Sequence, residues 1–115
     1  MKVDGKKIKV GYSVIDIKTQ SPDFKKENMA DTYGQYISRE NRIEIQEGLS
    51  DIDEANALLH EVFHACCWVS SLNQDGQPLE DTNIEEVVVN SFANVFTQVV
   101  MDNDWLLEYL KKLKK

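Results

Sequence analysis

A chain of 115 residues that is 42% hydrophobic and 29% charged, with 5 Gly and 2 Pro, has the size and composition of one folded domain rather than a disordered chain. Thirteen Lys and Arg against 20 Asp and Glu leave a net charge of −7, which opposes a polyphosphate-binding surface and makes nucleic acid an unsuitable direct partner. The first residues lack the continuous apolar run of a secretory signal and no window reaches membrane-spanning length, so a cytoplasmic protein without membrane association is expected.

In chain order, Asp4-Gly5 can turn the chain, and Ile8, Val10, Tyr12 and Val14 then alternate with polar or small residues, the period of a strand from Lys7 to Val14 with one buried face. Ser21 to Asp31, with Pro22, reads as a connection carrying at most a helical turn around Asp23 to Asn28. Tyr33 to Ser38 and Arg42 to Gln46, separated by Arg39-Glu40-Asn41, form a β-hairpin pattern. Ser50, with Asp53 three residues on, is an N-cap signal. Ala55, Leu58, Leu59, Val62, Phe63, Cys66 and Val69 follow at helical spacing, which predicts a helix from about Asp51 to Ser71.

Gly76 and Pro78 mark Leu72 to Asp81 as a surface loop. Thr82 and Glu85 have the spacing of a capping box, and the helix they open runs to about Met101 with Ile84, Val88, Phe92, Phe96 and Val99 as its apolar stripe. Asn103 is placed to cap a short last helix, Asp104 to Leu113, whose Lys111, Lys112, Lys114 and Lys115 complement the negative end of its dipole. The 2 cysteines, Cys66 and Cys67, are adjacent on a predicted helix and point about 100° apart, a geometry that favours reduced core thiols over a mutual disulfide.

The chemistry lies in His60-Glu61-Val62-Phe63-His64. Two histidines four apart on a helix stack one turn above each other, so both can aim a ring nitrogen at one ion, and neutral imidazole is a good ligand for Zn²⁺. Glu61 sits beside that face, where a carboxylate can act as general base on a water without taking a coordination position. The three fixed positions arise by chance in roughly one chain of this length in a few hundred. A lone histidine on an apolar helix is ordinarily a hydrogen-bonded core residue, but both histidines of the chain fall inside the motif.

Two imidazoles alone would hold the ion weakly, so a third protein ligand is expected, and there is no third histidine. The candidates are Glu80, Asp81, Glu85 and Glu86, at or near the start of the following helix. Glu85 suits the capping box, exposed in the first turn, whereas Glu86, with Val89, Asn90 and Ala93, lies on a face that could line a cleft.

Leu58 to Ala65, followed by Glu86-Val87-Val88-Val89-Asn90-Ser91-Phe92-Ala93, resembles the ImmA/IrrE-type metallopeptidases, the minimal gluzincins, many of them from phages and prophages. Those proteins pair an H-E-x-x-H helix with a later E-x-x-x-N-x-F-A helix. Tyr33-Gly34 and Asn41 to Ile45 are similar to the strand region that precedes the active helix in phage members. The resemblance spans about Tyr33 to Val100 and implies that Glu86 is the third metal ligand. Two departures stand out: Val62-Phe63 replaces the family's common Leu-Gly, and Val89 stands where alanine is expected.

The expectation is therefore an α+β domain spanning residues 1–115, a small antiparallel β-sheet packed on a zincin-like helix pair plus a short C-terminal helix. Its expected function is zinc-dependent hydrolysis of peptide bonds in a protein or peptide substrate, with Zn²⁺ on His60, His64 and Glu86 and Glu61 as base. The competing expectation is a non-catalytic zinc-binding or regulatory interaction protein of phage origin. A substrate strand is expected to add to the sheet edge near Ile43 to Gln46. Tyr33, Tyr36 and Arg39 are the candidates for stabilising an oxyanion.

Overall fold

The computed structural model of the chain describes residues 3–21 and 33–114. The helical turn expected around Asp23 to Asn28 lies outside the described residues, as does Lys115 of the terminal basic run.

Strand β1 (Lys7–Val10) turns at Gly11-Tyr12 into β2 (Ser13–Gln20), its antiparallel partner, with Val10 opposite Ser13. The single strand expected over Lys7 to Val14 is thus a hairpin. Gly11 has φ +58°, and a Cβ there would fall 2.6 Å from the Val69 side chain, so glycine serves both the turn and its packing on the helix below. The turn resets the alternation. Ile15 and Ile17 face the core, whereas Tyr12 and Val14, read from sequence as inward, are exposed.

Strand β3 (Gly34–Ile37), a 3₁₀ turn (Ser38–Glu40) and β4 (Arg42–Gln46) make the expected hairpin. Asn41 closes the turn with φ 49° and ψ 55°, a left-handed conformation that asparagine tolerates, and its carbonyl accepts from Asp16 N at 2.9 Å. The sheet order is β1-β2-β4-β3, and β2 pairs with β4 in parallel, so the sheet is mixed rather than wholly antiparallel. Strand β4 is consequently internal. Among the described residues the edge strand on that side is β3, and the expected substrate edge near Ile43 to Gln46 is occupied on both sides.

Helix α1 (Asp51–Val69) covers one face of the sheet. Ser50 caps it as its sequence predicts, its side chain accepting from Asp53 N, and Asp51, Asp53 and Glu54 complement the positive end of the dipole. Between sheet and helix, Ile15, Ile43 and Ile45 are fully buried and meet Ala57 and Ala65. Burial of an isoleucine of this kind stabilises the fold by about 1.5–3 kcal/mol. The chain leaves α1 through Ser71 at φ 66°, with Leu72 N bonding Cys67 O at 3.0 Å and Ser71 N bonding Trp68 O at 3.1 Å, a Schellman closure without glycine.

Helix α2 (Thr82–Asp102) packs back on α1, and α3 (Trp105–Lys111) follows with every residue outside the core. Three expectations about these helices change. The cap of α2 is Asp81, whose carboxylate accepts from Asn83 N at 2.8 Å and Ile84 N at 3.3 Å. Thr82 is therefore already helical, and Glu85, one residue too late for a capping box, is buried at 7% exposure. Asn103 ends α2, its side chain bonding Val99 O at 2.8 Å, and does not cap α3.

The buried face of α2 is Glu85, Val89, Ala93 and Thr97, not the bulky stripe: Ile84 is 51% and Phe92 64% exposed. With α1 as its main neighbour, only a narrow strip of α2 is covered, and small residues let the axes approach. Phe63 still meets Phe96 edge-on, with ring centroids 5.8 Å apart. No helix among the described residues is long and apolar enough to cross a membrane.

Of the two cysteines expected in the core, Cys67 is buried and Cys66 is exposed. Burial, reinforced by Glu85, pushes the Cys67 thiol up to about 11. Iodoacetamide at pH 8 is expected to alkylate Cys66 of the native protein first and Cys67 only on unfolding, as peptide mapping would read. Asp81→Ala is expected to cost about 0.5–2 kcal/mol in urea denaturation and Thr82→Ala much less, the reverse of what a Thr82 cap requires.

Candidate metal centre

His60 and His64 project from one face of α1 toward α2, their rings 4.9 Å apart between centroids. From the second turn of α2, Glu86 reaches both: Oε2 is 3.1 Å from His60 Nε2, and Oε1 is 2.7 Å from His64 Nε2. One donor atom from each of the three residues lies within 4.8 Å of the others. Donors bonded tetrahedrally to a zinc ion at about 2.0 Å stand about 3.3 Å apart. The donor set of two imidazoles and a carboxylate suits Zn²⁺ in chemistry, and its donors lie near enough to converge on one ion with a small adjustment of the side chains.

The remaining carboxylates have other roles. Glu80 accepts from Gly76 N at 3.1 Å in the loop, and Asp81 caps the helix. Glu85 contacts the opposite ring nitrogen of His64, Nδ1, at 2.6 Å, and also accepts from Asn73 Nδ2 at 3.0 Å. Of the four candidate third ligands, only Glu86 meets the Nε2 atoms of both histidines. The sequence offers Glu85 as a candidate ligand and as a capping-box residue; its contact with His64 Nδ1, and the part played by Asn73, carry no local signature.

Glu61 follows His60 by about 100° around α1, which turns it from α2 toward the edge strand β3. It is 1% exposed. The strand approaches closely because residue 34 is glycine: a Cβ at Gly34 would stand 2.9 Å from the Glu44 carbonyl oxygen and 3.3 Å from Glu61 Cγ. Two cavities open on either side. One of about 360 Å³ is lined by Glu61, His64, Glu86, Tyr36 and Trp68, and one of about 240 Å³ by Glu61, His60, Glu86, Tyr33 and Asn90. Glu61 and Glu86 border both, so the cleft runs across the donor cluster alongside β3.

Tyr33 and Tyr36 thus face opposite ends of the cleft, while Arg39 is exposed in the 3₁₀ turn and lines neither cavity. Burial, with a smaller contribution from Tyr12, raises the Tyr36 hydroxyl above its ordinary value and keeps it protonated at neutral pH. On the sheet face turned away from Ile43 and Ile45, buried Glu44 accepts from Gln35 Nε2 at 2.5 Å and pairs with Arg42 at 2.9 Å, which satisfies a carboxylate in the strand next to the edge.

Comparison of the chain with protein-family models, with curated proteins and with solved structures gives no match.

Gly34→Ala is expected to push β3 from α1, because the backbone oxygen of Glu44 cannot yield as a flexible side chain would. A loss of about 1–3 kcal/mol in urea denaturation is the expected outcome, and an unchanged midpoint would show that the strand does not press on Glu61.

Proposed function

We propose that this chain is a zinc-dependent peptidase of the ImmA/IrrE type, acting in the cytoplasm on a protein or peptide substrate. The observation that carries the reading is the convergence of His60, His64 and Glu86 from two helices, with Glu61 buried beside them in the same cleft. The resemblance of Leu58 to Ala65 and of Glu86 to Ala93 to that family supports it from the sequence. The acidic balance of the chain favours a polypeptide over nucleic acid as substrate.

In this reading His60, His64 and Glu86 hold the ion, and the Nδ1 contact of His64 with Glu85 leaves Nε2 as its donor. Zn²⁺ bound there supplies a Lewis acid that polarises a carbonyl and makes water acidic enough to react near neutral pH. Glu61 accepts the proton of the attacking water and returns it to the amide nitrogen that leaves. Its burial beneath β3 excludes bulk water and fixes its orientation. An extended substrate would lie along β3, the edge strand among the described residues, and place residues on either side of the scissile bond in the two cavities.

Retention of a carboxylate at Glu61 favours catalysis over a purely structural metal site, which has no use for a base and ordinarily completes four protein ligands. The test is metal content and cleavage of a mixed peptide library. The unaltered protein is expected to bind about one zinc per chain. Glu86→Ala should lose most of the metal, whereas Glu61→Gln should keep it and lower cleavage by about 10²–10⁴-fold. No zinc uptake on titration would end the enzyme reading, and equal activity in both variants would contradict the roles.

A further inference from the structure

We propose that Glu85 is the positioning residue of the metal centre, holding His64 in the tautomer and orientation that present Nε2 to the ion; this rests on the zinc reading above. The contact is short and enclosed. Glu85 Oε2 lies 2.6 Å from His64 Nδ1, with the side chains of Glu85 and His64 only 10% and 15% exposed. With an ion between Nε2 and Glu86, the lone pair on Nε2 is committed to the ion, and the ring hydrogen then belongs on Nδ1, where the Glu85 oxygen is placed to accept it.

The other oxygen of Glu85 is also held. Oε1 accepts from Asn73 Nδ2 at 3.0 Å, and Asn73 Oδ1 in turn accepts from Gln74 Nε2 at 3.0 Å. Asn73 lies just beyond the Schellman closure of α1, so the loop reaches across to brace a carboxylate of α2 that itself braces a ring of α1. Three successive segments of the chain therefore fix one imidazole. Such an outer carboxylate also makes the ring a stronger donor, because its negative charge stabilises the partial positive charge that coordination places on the imidazole.

A merely structural Glu85 would fill space and pair with whatever ring form is present, and its removal would lower stability without selecting a tautomer. The two roles separate in the zinc-loaded protein. The dissociation constant for zinc, measured by chelator competition, is expected to rise about 10–100-fold in Glu85→Ala. Glu85→Gln, which keeps the shape and an accepting oxygen, should recover part of that loss. Long-range ¹H–¹⁵N spectra of zinc-loaded protein should find the His64 Nδ1 hydrogen protected from exchange with water in the unaltered chain and in Glu85→Gln, and exchanging faster in Glu85→Ala.

Asn73→Ala, a change in the loop that leaves both helices intact, should weaken zinc binding in the same direction by a smaller factor. Unchanged zinc affinity in both Glu85→Ala and Asn73→Ala, or equal protection of the Nδ1 hydrogen in Glu85→Ala, overturns the proposal while leaving the zinc site standing. Failure of the unaltered chain to take up zinc overturns the proposal together with the function on which it rests.

Discussion

Pairing of buried polar groups sets how α1 and α2 meet. Glu85 and His60 are buried, His64 nearly so, and groups of this kind removed from water cost several kcal/mol unless each finds a partner. The register of the two helices meets that demand: one turn of α2 brings Glu85 and Glu86 to opposite nitrogens of His64 and carries Glu86 on to His60. Around this polar patch the contact is made by small residues, Ala93 and Val89, with Asn56 bonding Asn94 at 3.0 Å farther along. A sliding of α2 by a single turn would strand carboxylates against an apolar surface.

The second face of α1 answers to a different demand. Ala57 and Ala65 lie flush on Ile15, Ile43 and Ile45, and the space left by these small side chains brings the sheet near enough for Gly34 to touch Glu61. A helix that is polar toward one neighbour and apolar toward the other must place its acid at the boundary, and Glu61 is that residue.

Where the physics was local, the sequence was readable. The cap at Ser50, the β3–β4 hairpin, the helices and the alignment of His60 with His64 all depend on spacing within a few turns, whereas the resemblance, and not spacing, singles out Glu86 among four carboxylates. The errors arose where a long-range neighbour decides. The apolar stripe of α2 has the bulk to suggest a core, yet among the described residues α1 is its main neighbour and covers a different face, so Ile84 and Phe92 remain outside while Glu85 goes in. Tyr12 and Val14 continue the alternation of β1 on paper, but the turn at Gly11 resets it and hands the core to Ile15 and Ile17. The parallel pairing of β2 with β4, which makes β3 the edge, leaves no local signature at all.

The route from Ser70 to Asp81 closes on itself, since Leu79 N bonds Leu72 O at 2.9 Å just beyond the Schellman turn. All three converging donors consequently belong to one helical hairpin whose ends are joined by a short, self-bonded connection, and bringing them together entails little loss of chain entropy. The enclosure of Glu61 has another origin, because it waits on β3, a strand that pairs on the outer side of β4. Gathering the donors and sheltering the Glu61 carboxyl are thus separable events in the life of the chain, and a partly opened molecule whose outer strand has lifted keeps the first while losing the second.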